Sequence, residues 1–343
     1  MKPFIKIFLS FSAIIFFLSS CSKKNEVGKM IPSNALFVAQ VNVKSLGSKV
    51  SWNEIKETSI YKKMLADSAT DQWKSKIMDN PSSTGIDFDD GLVFFAVKHP
   101  GEQYLAAEGK IKNEKDFENF NKNLDPSQTP KKVGDINIFT LKNKNVVGWN
   151  GGRFVYVSSP KLPAKMETGD GASAENTDLT AVCTKLFSLK PDSSLAGNDK
   201  FKSLLSENGD AHIWQNTEAL VNSSASLGML GMLKLDAFTK DNISTYTINF
   251  DKGKIDVAQK MFLSKDLTDI VKKYMGNSID LQMIKKIPSP NVFGLLAFNF
   301  KPEGITELIK LTGADGIMNS YAQQYGFSLD DFSKATNGNW LLS

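Results

Sequence analysis

The sequence has very little of the residue types on which metal sites and nucleic-acid surfaces depend. Among 343 residues there are two histidines and two cysteines, and Arg153 is the only arginine. Zinc needs three or four converging His, Cys or carboxylate ligands, and phosphate or base recognition relies on the planar arginine fork. We therefore expect no metal or other cofactor, no nucleic-acid partner and no enzyme activity.

A disulfide framework and a strong net charge are also missing. The 41 basic residues include Lys2 and Lys6 at the N-terminus, and the remainder nearly balances the 37 acidic residues. If Cys21 is modified, as argued next, Cys183 is left without a partner and no internal disulfide can form. The fold must then rest on an ordinary hydrophobic core, which the 10% aromatic content can supply.

What the sequence does have is an export leader at residues 1–20. Lys2 and Lys6 precede an apolar stretch at residues 7–17. Eleven helical residues rise only about 16 Å, roughly half the thickness of a bilayer's hydrocarbon core. This length is typical of a signal-peptide core and too short for a permanent span.

The leader ends in Leu18-Ser19-Ser20-Cys21, which resembles the lipobox of bacterial lipoproteins. The resemblance implies that the Cys21 thiol receives a diacylglycerol, that the chain is cut before it, and that residues 21–30 form a lipidated tether. Two or three acyl chains anchor firmly, at about 0.8 kcal/mol per buried methylene. Ser22, rather than Asp, after Cys21 resembles lipoproteins passed on to the outer membrane, which implies a location on its periplasmic face. The alternative is an ordinary secretory leader with a chance cysteine.

Two pairs of similar stretches suggest an internal duplication. Residues 31–44 and 287–301 both read as a Pro-containing turn, an apolar strand and Asn-apolar-Lys. The turn that begins at Gly85 (Gly-Ile-Asp-Phe-Asp-Asp) is echoed from Gly326 (Gly-Phe-Ser-Leu-Asp-Asp). Two matches in the same order predict a repeated unit. The second copy stops soon after it begins, at Ser343, so we expect a truncated version of a longer protein.

Periodicity predicts an α+β fold with antiparallel sheets and helices packed on one face. We divide the chain into a first module (31–160), a flexible linker (161–178), a middle segment (179–265) and the start of a second module (266–343). Hydrophobic spacing predicts helical structure over 52–78, with Ile55 and Ile60 facing inward. Helices N-capped by Asn113 and carrying Cys183 on an apolar face, and a hairpin turning at 251–253, are predicted in the same way.

These features together resemble a known family. The lipobox, the Ile-Pro-Ser-x-Ala opening at residue 31, the Gly-Ile-Asp turn and the stretch from Ser194 through Phe201 and Asp210 to Trp214 are similar to bacterial envelope lipoproteins. That family is known only as a domain of unknown function. The resemblance implies repeated α+β modules in longer chains, and it carries no catalytic residues.

Side chains that could carry chemistry all have a simpler interpretation. His212 lies in an alternating strand, and no Gly-x-Ser-x-Gly elbow accompanies it, so a hydrolase has no specific support. Asp87, Asp89 and Asp90 lack the Gly and distal Glu of a calcium loop, which favours a polar turn. Cys183 shares a helix face with apolar residues, which favours a buried structural thiol.

One segment, residues 223–233, stands out because methionine and glycine alternate with leucine. The favoured interpretation is a buried or mobile helix of the middle segment; the functional alternative is a hydrophobic contact site for lipid or another protein, since methionines adapt to varied partners. The contact residues would be Leu227, Met229, Leu230, Met232 and Leu233. We therefore expect a membrane-anchored, non-catalytic binding or structural lipoprotein that contacts membrane lipid through Cys21 and an envelope protein partner. A carrier or sensor of an apolar ligand is the alternative, followed by a hydrolase with an unrecognised site.

Overall fold

The computed structural model describes residues 27–67, 80–99, 101–142, 144–159, 177–222, 236–276, 278–287 and 294–342. Its strands are β1 Phe37–Val41, β2 Ile86–Asp87, β3 Leu92–His99, β4 Glu102–Ile111, β5 Lys131–Val133, β6 Ile136–Thr140, β7 Val146–Asn150, β8 Arg153–Ser158, β9 Ala211–Asn216, β10 Ile243–Asp251, β11 Lys254–Phe262, β12 Leu296–Asn299 and β13 Asn339–Leu342.

The helices are α1 Val43–Lys49, α2 Trp52–Glu57, α3 Ser59–Asp67, α4 Glu114–Leu124, α5 Leu179–Phe187, α6 Asp199–Leu205, α7 Thr217–Asn222, α8 Asp236–Thr239, α9 Lys265–Tyr274, α10 Pro302–Leu311, α11 Asp315–Gln324 and α12 Leu329–Ala335. Short 3₁₀ turns lie at Pro81–Thr84, Phe88–Asp90, Pro191–Ser193, Leu195–Gly197 and Leu281–Lys286. No helix in these described ranges has both the length and the apolar composition needed to cross a bilayer.

The protein is a mixed α+β fold built on one large antiparallel sheet. In the described residues this sheet has eleven strands, in the order β11-β10-β9-β1-β3-β4-β8-β7-β6-β5, with β2 paired to the end of β4. Every pairing is antiparallel; β1, for example, lies between β3 and β9. Strands from the predicted first module and from the middle segment therefore form a single sheet.

One side of the sheet, which we call the α5 face, holds the main core. Alternate residues of β3 (Val93, Phe95 and Val97) are buried there, as the two-residue period of a strand requires. Helices α5 and α6 cover this face, and Trp214 of β9 packs edge-on against Phe201 of α6, with ring centroids 5.7 Å apart. The predicted apolar helix face around Cys183 is confirmed.

The opposite side, the α4 face, also carries a helix, so the prediction of helices on one face only is wrong; this face is covered only in part. Helix α4 lies over β6, β7 and β8, where Phe117 packs among Phe139, Val147, Trp149 and Phe154. Over the neighbouring strands β1, β3 and β4 the same face remains more open. Phe37, Phe94 and Leu105 there are 37%, 44% and 45% exposed.

The C-terminal part has its own small sheet, formed by β12 and β13. Helices α10, α11 and α12 lie between these two strands in the chain, just as α1 to α3 lie between β1 and β3. However, β1 is central in the large sheet, whereas β12 pairs only with β13 among the described residues. The duplication therefore stays a prediction, and residues 288–293 of the second stretch lie outside the description.

Other local predictions are partly confirmed. The hairpin turning after Asp251 and the Asn113 N-cap of α4 lie where the sequence placed them. The helical structure predicted from residue 52 is present as far as Asp67, as two helices that divide at Thr58, but Ile60, expected to face inward, is 72% exposed. Thr58 is extended and ends α2, and its Oγ1 accepts the Tyr61 amide at 3.2 Å at the start of α3, so the break changes the direction of the inward face.

Candidate functional site

The α4 face holds a cavity between α4 and strands β3, β4 and β8. Its volume is about 590 Å³. The lining is mostly apolar: Ile86, Phe88, Leu92, Phe94, Ala107, Phe120, Leu124, Leu141, Phe154 and Val157, with Tyr156 beside them. We call this the α4 cavity.

The start of helix α4 is fixed by its N-cap residue and by a turn at Gly85. The Asn113 side chain accepts a hydrogen bond from Asp116 N, and Glu114 and Asp116 add negative charge to the first turn. Gly85 has φ +74° and its carbonyl accepts hydrogen bonds from the amides of Lys112 and Asn113. A Cβ at Gly85 would lie 2.4 Å from backbone atoms of the helix start, so only glycine fits this turn.

Polar contacts fix the far side of α4 to the sheet. Trp149 Nε1 donates to Glu114 Oε1 at 3.0 Å, and the Tyr156 hydroxyl donates to Asn121 Oδ1 at 2.5 Å. Asn121 Nδ2 in turn donates to the Phe117 carbonyl at 2.8 Å. Burial raises the pKa of Tyr156, so its hydroxyl stays protonated as a donor. These contacts hold the helix over β6 to β8 and leave Phe120 and Leu124 facing the cavity.

The polar groups around the α4 cavity are few. Lys142 is its charged residue, and it is exposed; Thr84, Asn145 and Ser158 are the neutral ones. The Thr84 hydroxyl already donates to the Pro81 carbonyl at 2.7 Å. Among the described lining residues there is no His, Cys, Asp or Glu. The arrangement can hold an apolar group, and it offers neither a general base nor a metal-ligand set.

Two titratable groups outside the α4 cavity, His212 and Cys183, are buried. His212 is buried, with Nδ1 2.7 Å from Gln40 Oε1 and Nε2 3.1 Å from the Glu207 carbonyl oxygen. Burial lowers the pKa of His212, while the Glu207 carbonyl contact opposes that shift. Cys183 is fully buried, and burial raises its pKa to about 12, so the prediction of a structural thiol is confirmed.

The acidic turn forms ordinary local contacts. Asp87 Oδ1 accepts the amide of Asp89 at 3.2 Å, and Asp90 pairs with Lys110 Nζ at 2.5 Å. This agrees with the predicted polar turn at the start of β3. Within the described ranges, no three His, Cys, Asp or Glu side chains converge as a metal site would require.

A further buried carboxylate lies on the α5 face. Glu108 of β4 is fully buried, with Oε1 3.7 Å from Arg153 Nη2. Burial raises the pKa of Glu108, and the Arg153 guanidinium opposes the rise. Arg153, the only arginine of the chain, thus offsets the cost of burying the Glu108 carboxylate. The sequence alone could not predict this role, because it depends on the register between β4 and β8.

Two regions singled out in the sequence lie outside the described residues. These are Cys21 and the segment with Leu227, Met229, Leu230, Met232 and Leu233; the predicted linker is described only at its end, from residue 177. The sequence analysis in turn missed the α4 cavity. Its signal was the apolar character of Leu92, Phe94 and Ala107 on the second side of β3 and β4, where a solvated face would carry polar residues.

The fold defines a mixed α+β protein with a large antiparallel sheet and helices. Residues 28–293 match the model of "Domain of unknown function (DUF4836)", and the chain belongs to this family. No curated protein sequence matches the chain.

Solved structures show only distant similarity. Crystal form IV of TP0453, a Treponema membrane-associated protein, is 10% identical with a TM-score of 0.37, over 74% of this chain and 87% of that one. Crystal form III is 9% identical with a TM-score of 0.37, over 74% and 89%.

Proposed function

We propose that this protein is a lipid-anchored, non-catalytic binding protein of the bacterial envelope, and that the α4 cavity is its site for an apolar ligand. The observation that carries the proposal is the cavity itself. Its volume of about 590 Å³ lies within the range of roughly 300–1,000 Å³ that small-molecule sites occupy. Its walls are apolar, with a few polar groups that could orient a ligand.

The packing of the two faces supports this assignment. A helix held by Trp149 and Tyr156 keeps its position without filling the space over Leu92 and Ala107. The apolar walls of this space are open to solvent, and burying such surface against an apolar group is favourable. A ligand with an apolar body would provide that burial.

The chemistry of the described residues supports a non-catalytic role. The α4 cavity is lined without a carboxylate, imidazole or thiol. Cys183 and Glu108 lie on the opposite face of the sheet, buried in the core. An enzyme of the hydrolase type would need a nucleophile and a base within hydrogen-bond reach of each other and of a bound substrate.

The anchor and the location are part of the same proposal. The lipobox at Cys21 supports attachment through lipid, and Ser22 supports the periplasmic face of the outer membrane. The scarcity of arginine supports the absence of a nucleic-acid partner. Mass spectrometry of the N-terminal peptide from the mature chain tests the anchor: acyl chains on Cys21 are expected, and an unmodified N-terminus there would contradict it.

Photolabelling tests the binding site. The full chain, carried in lipid nanodiscs, is irradiated with a diazirine-bearing fatty acid, and labelled peptides are mapped by mass spectrometry. We expect label on β3, β4 and α4. Ala107→Phe places an aromatic ring in the α4 cavity and should lower that labelling about tenfold, as expected if the ring takes the ligand's space.

Ala96→Phe is the matched control, because Ala96 lies on the same face of β3 but outside the α4 cavity. It should leave labelling of β3, β4 and α4 unchanged. Labelling that stays the same in folded Ala107→Phe, or that spreads evenly over the surface, would show that the cavity is not the binding site.

A further inference from the structure

The two ends of the large sheet are built differently. At one end β5 is three residues long and begins with Lys131 and Lys132. Short, lysine-rich edges are a common protection against pairing with another chain. At the other end β11 has nine residues, eight of them exposed, and no strand in the described part of the chain pairs with its outer side.

The outer side of β11 carries free backbone groups next to an apolar row. Asp251 and Lys254 flank a two-residue turn and face each other in the register, so they form a hydrogen-bonded pair. Alternation along the ladder then turns the N–H and C=O groups of residues 255, 257, 259 and 261 away from β10. The side chains of Ile255, Val257 and Met261 are 61%, 56% and 59% exposed.

The sequence of β11 is complementary to itself in one antiparallel register. When two copies pair about a two-fold axis at Ala258, Asp256 of each copy lies opposite Lys260 of the other. In the same register Ile255 lies opposite Met261, and both matches occur twice by symmetry. Opposite charges and apolar pairs directly across two strands stabilise the pairing.

Neighbouring registers lose this match. An axis at Val257 places Lys254 opposite Lys260, and an axis at Asp256 or Lys260 places identical charges opposite each other. An axis at Gln259 places Lys260 opposite Ala258 and Asp256 opposite Phe262, so no opposite charges are paired. Like charges directly across a strand pair are destabilising. The register centred on Ala258 is therefore the favoured one.

We propose that β11 pairs with β11 of a second copy of this chain, in the antiparallel register centred on Ala258, so that two large sheets become continuous. The contact is isologous, as in most two-fold dimers. An edge of nine residues is smaller than a standard interface, so the dimer is weak and depends on concentration. Within each copy, Asp256 already contacts Lys254 and Lys260 contacts Glu207, both at 2.5 Å, so the pairing extends an existing row of charges.

Cysteine cross-linking tests the register at single-residue resolution. Ala258→Cys is made in the full chain in its host membrane, with the unsubstituted chain as background because Cys183 is buried. Under mild oxidation Ala258→Cys should give a disulfide-linked dimer, since two directly opposite residues bring their Cβ atoms within bonding reach. Val257→Cys, one residue away and also exposed, should cross-link at least about tenfold more slowly, because its copies lie diagonally across the pair.

Charge reversal tests the complementarity. Asp256→Lys in the Ala258→Cys background places lysine opposite Lys260 and should slow cross-linking about tenfold. Adding Lys260→Asp restores opposite charges and should recover most of the cross-linking rate. Because this change also removes the contact between Lys260 and Glu207, the unfolding transition of the variant must show that it remains folded. Faster cross-linking at Val257→Cys, no dimer in any folded variant, or a rate indifferent to charge would each overturn the proposal.

Discussion

The two faces of the large sheet differ in how completely they are packed. On the α5 face, α5 and α6 cover the strands, and Phe95, Val155 and Trp214 are almost fully buried. On the α4 face, one helix covers one end, and Phe94 and Leu105 remain nearly half exposed. The α5 face is thus closed by two helices, whereas the α4 face is closed under α4 and open over β1, β3 and β4. The predictions below test that division.

The largest expected difference comes from truncating one aromatic residue on each face. Trp214→Ala removes a ring that is 1% exposed and should lower the free energy of unfolding by about 3–5 kcal/mol. Phe94→Ala, at a residue already 44% exposed, should cost about 1 kcal/mol or less. Urea unfolding of the two full-length variants measures both values. Equal losses would mean that the faces contribute alike.

The buried ion pair on the α5 face should show an unusual pH dependence. Arg153→Gln leaves Glu108 without its compensating cation and should cost about 3 kcal/mol near neutral pH. Because the pKa of Glu108 is raised in the folded state, the native protein holds that proton more tightly than the unfolded chain does. The contribution of Glu108 to the free energy of unfolding is thus present at acidic pH. It is lost as the pH rises from the pKa of Glu108 in the unfolded chain through its higher pKa in the folded protein.

Urea unfolding across that pH range gives the measurement. The Arg153→Gln variant should lose stability more steeply with rising pH than the unsubstituted chain. A pH profile parallel to that of the unsubstituted chain would contradict the role of Arg153.

A second carboxylate should respond to pH in the opposite sense. Asp210 accepts hydrogen bonds from Ser45 Oγ and Lys49 Nζ, both at 2.6 Å, and from the Phe250 amide at 2.7 Å, so α1 is joined to the sheet. Burial alone would raise the pKa of Asp210, but these donors together lower it. Its contribution is present above the unfolded pKa and is lost as pH falls through the folded pKa.

Asp210→Asn should therefore cost about 2 kcal/mol at neutral pH and less in acid. Equilibrium unfolding at neutral and acidic pH checks the sign. Ser48→Ala is a suitable control, because Ser48 lies on the same helix and its exposed hydroxyl contacts only the Ser45 carbonyl. A cost that grows as pH falls would contradict the assignment.

The smallest expected effects come from adding atoms to each face. Gly148→Ala on β7 places a Cβ 2.5 Å from Cys183 Sγ and should cost about 1–2 kcal/mol through overpacking. Ala107→Phe adds far more volume, but into the α4 cavity, and should change stability by less than about 1 kcal/mol. Thermal unfolding of the two variants compares them directly. A larger loss for Ala107→Phe would show that the cavity has no room for a ring.

Sequence patterns were sufficient where the decisive contacts are local. The Asn113 cap, the helix face of Cys183 and the turn at Lys252 and Gly253 depend on residues a few positions apart, and the structure has all three. The position of β1 between β3 and β9 could not be predicted, because it joins residues about 170 apart through backbone pairing, as in Gln40 with His212.

The α4 cavity is beyond local patterns for the same reason. It forms where Phe120 of one helix meets Phe94, Ala107 and Tyr156 of three different strands. Each of these residues is unremarkable in its own segment, and only the pairing of β3 with β4 and of β4 with β8 brings them around one space. The exposed edge of β11 is likewise a property of the assembled sheet, although its hairpin was predicted.

The close packing of Cys183 against Gly148 also makes this thiol a probe of local opening in the native protein. With its sulfur enclosed and its pKa raised to about 12, Cys183 can react with a thiol reagent only after α5 lifts away from β7. The rate of that reaction therefore counts opening events of the α5 face in the native protein. The two faces share one sheet. A ligand bound in the α4 cavity should therefore lower the rate of Cys183 modification if both faces open as one cooperative unit, and should leave that rate unchanged if they open separately.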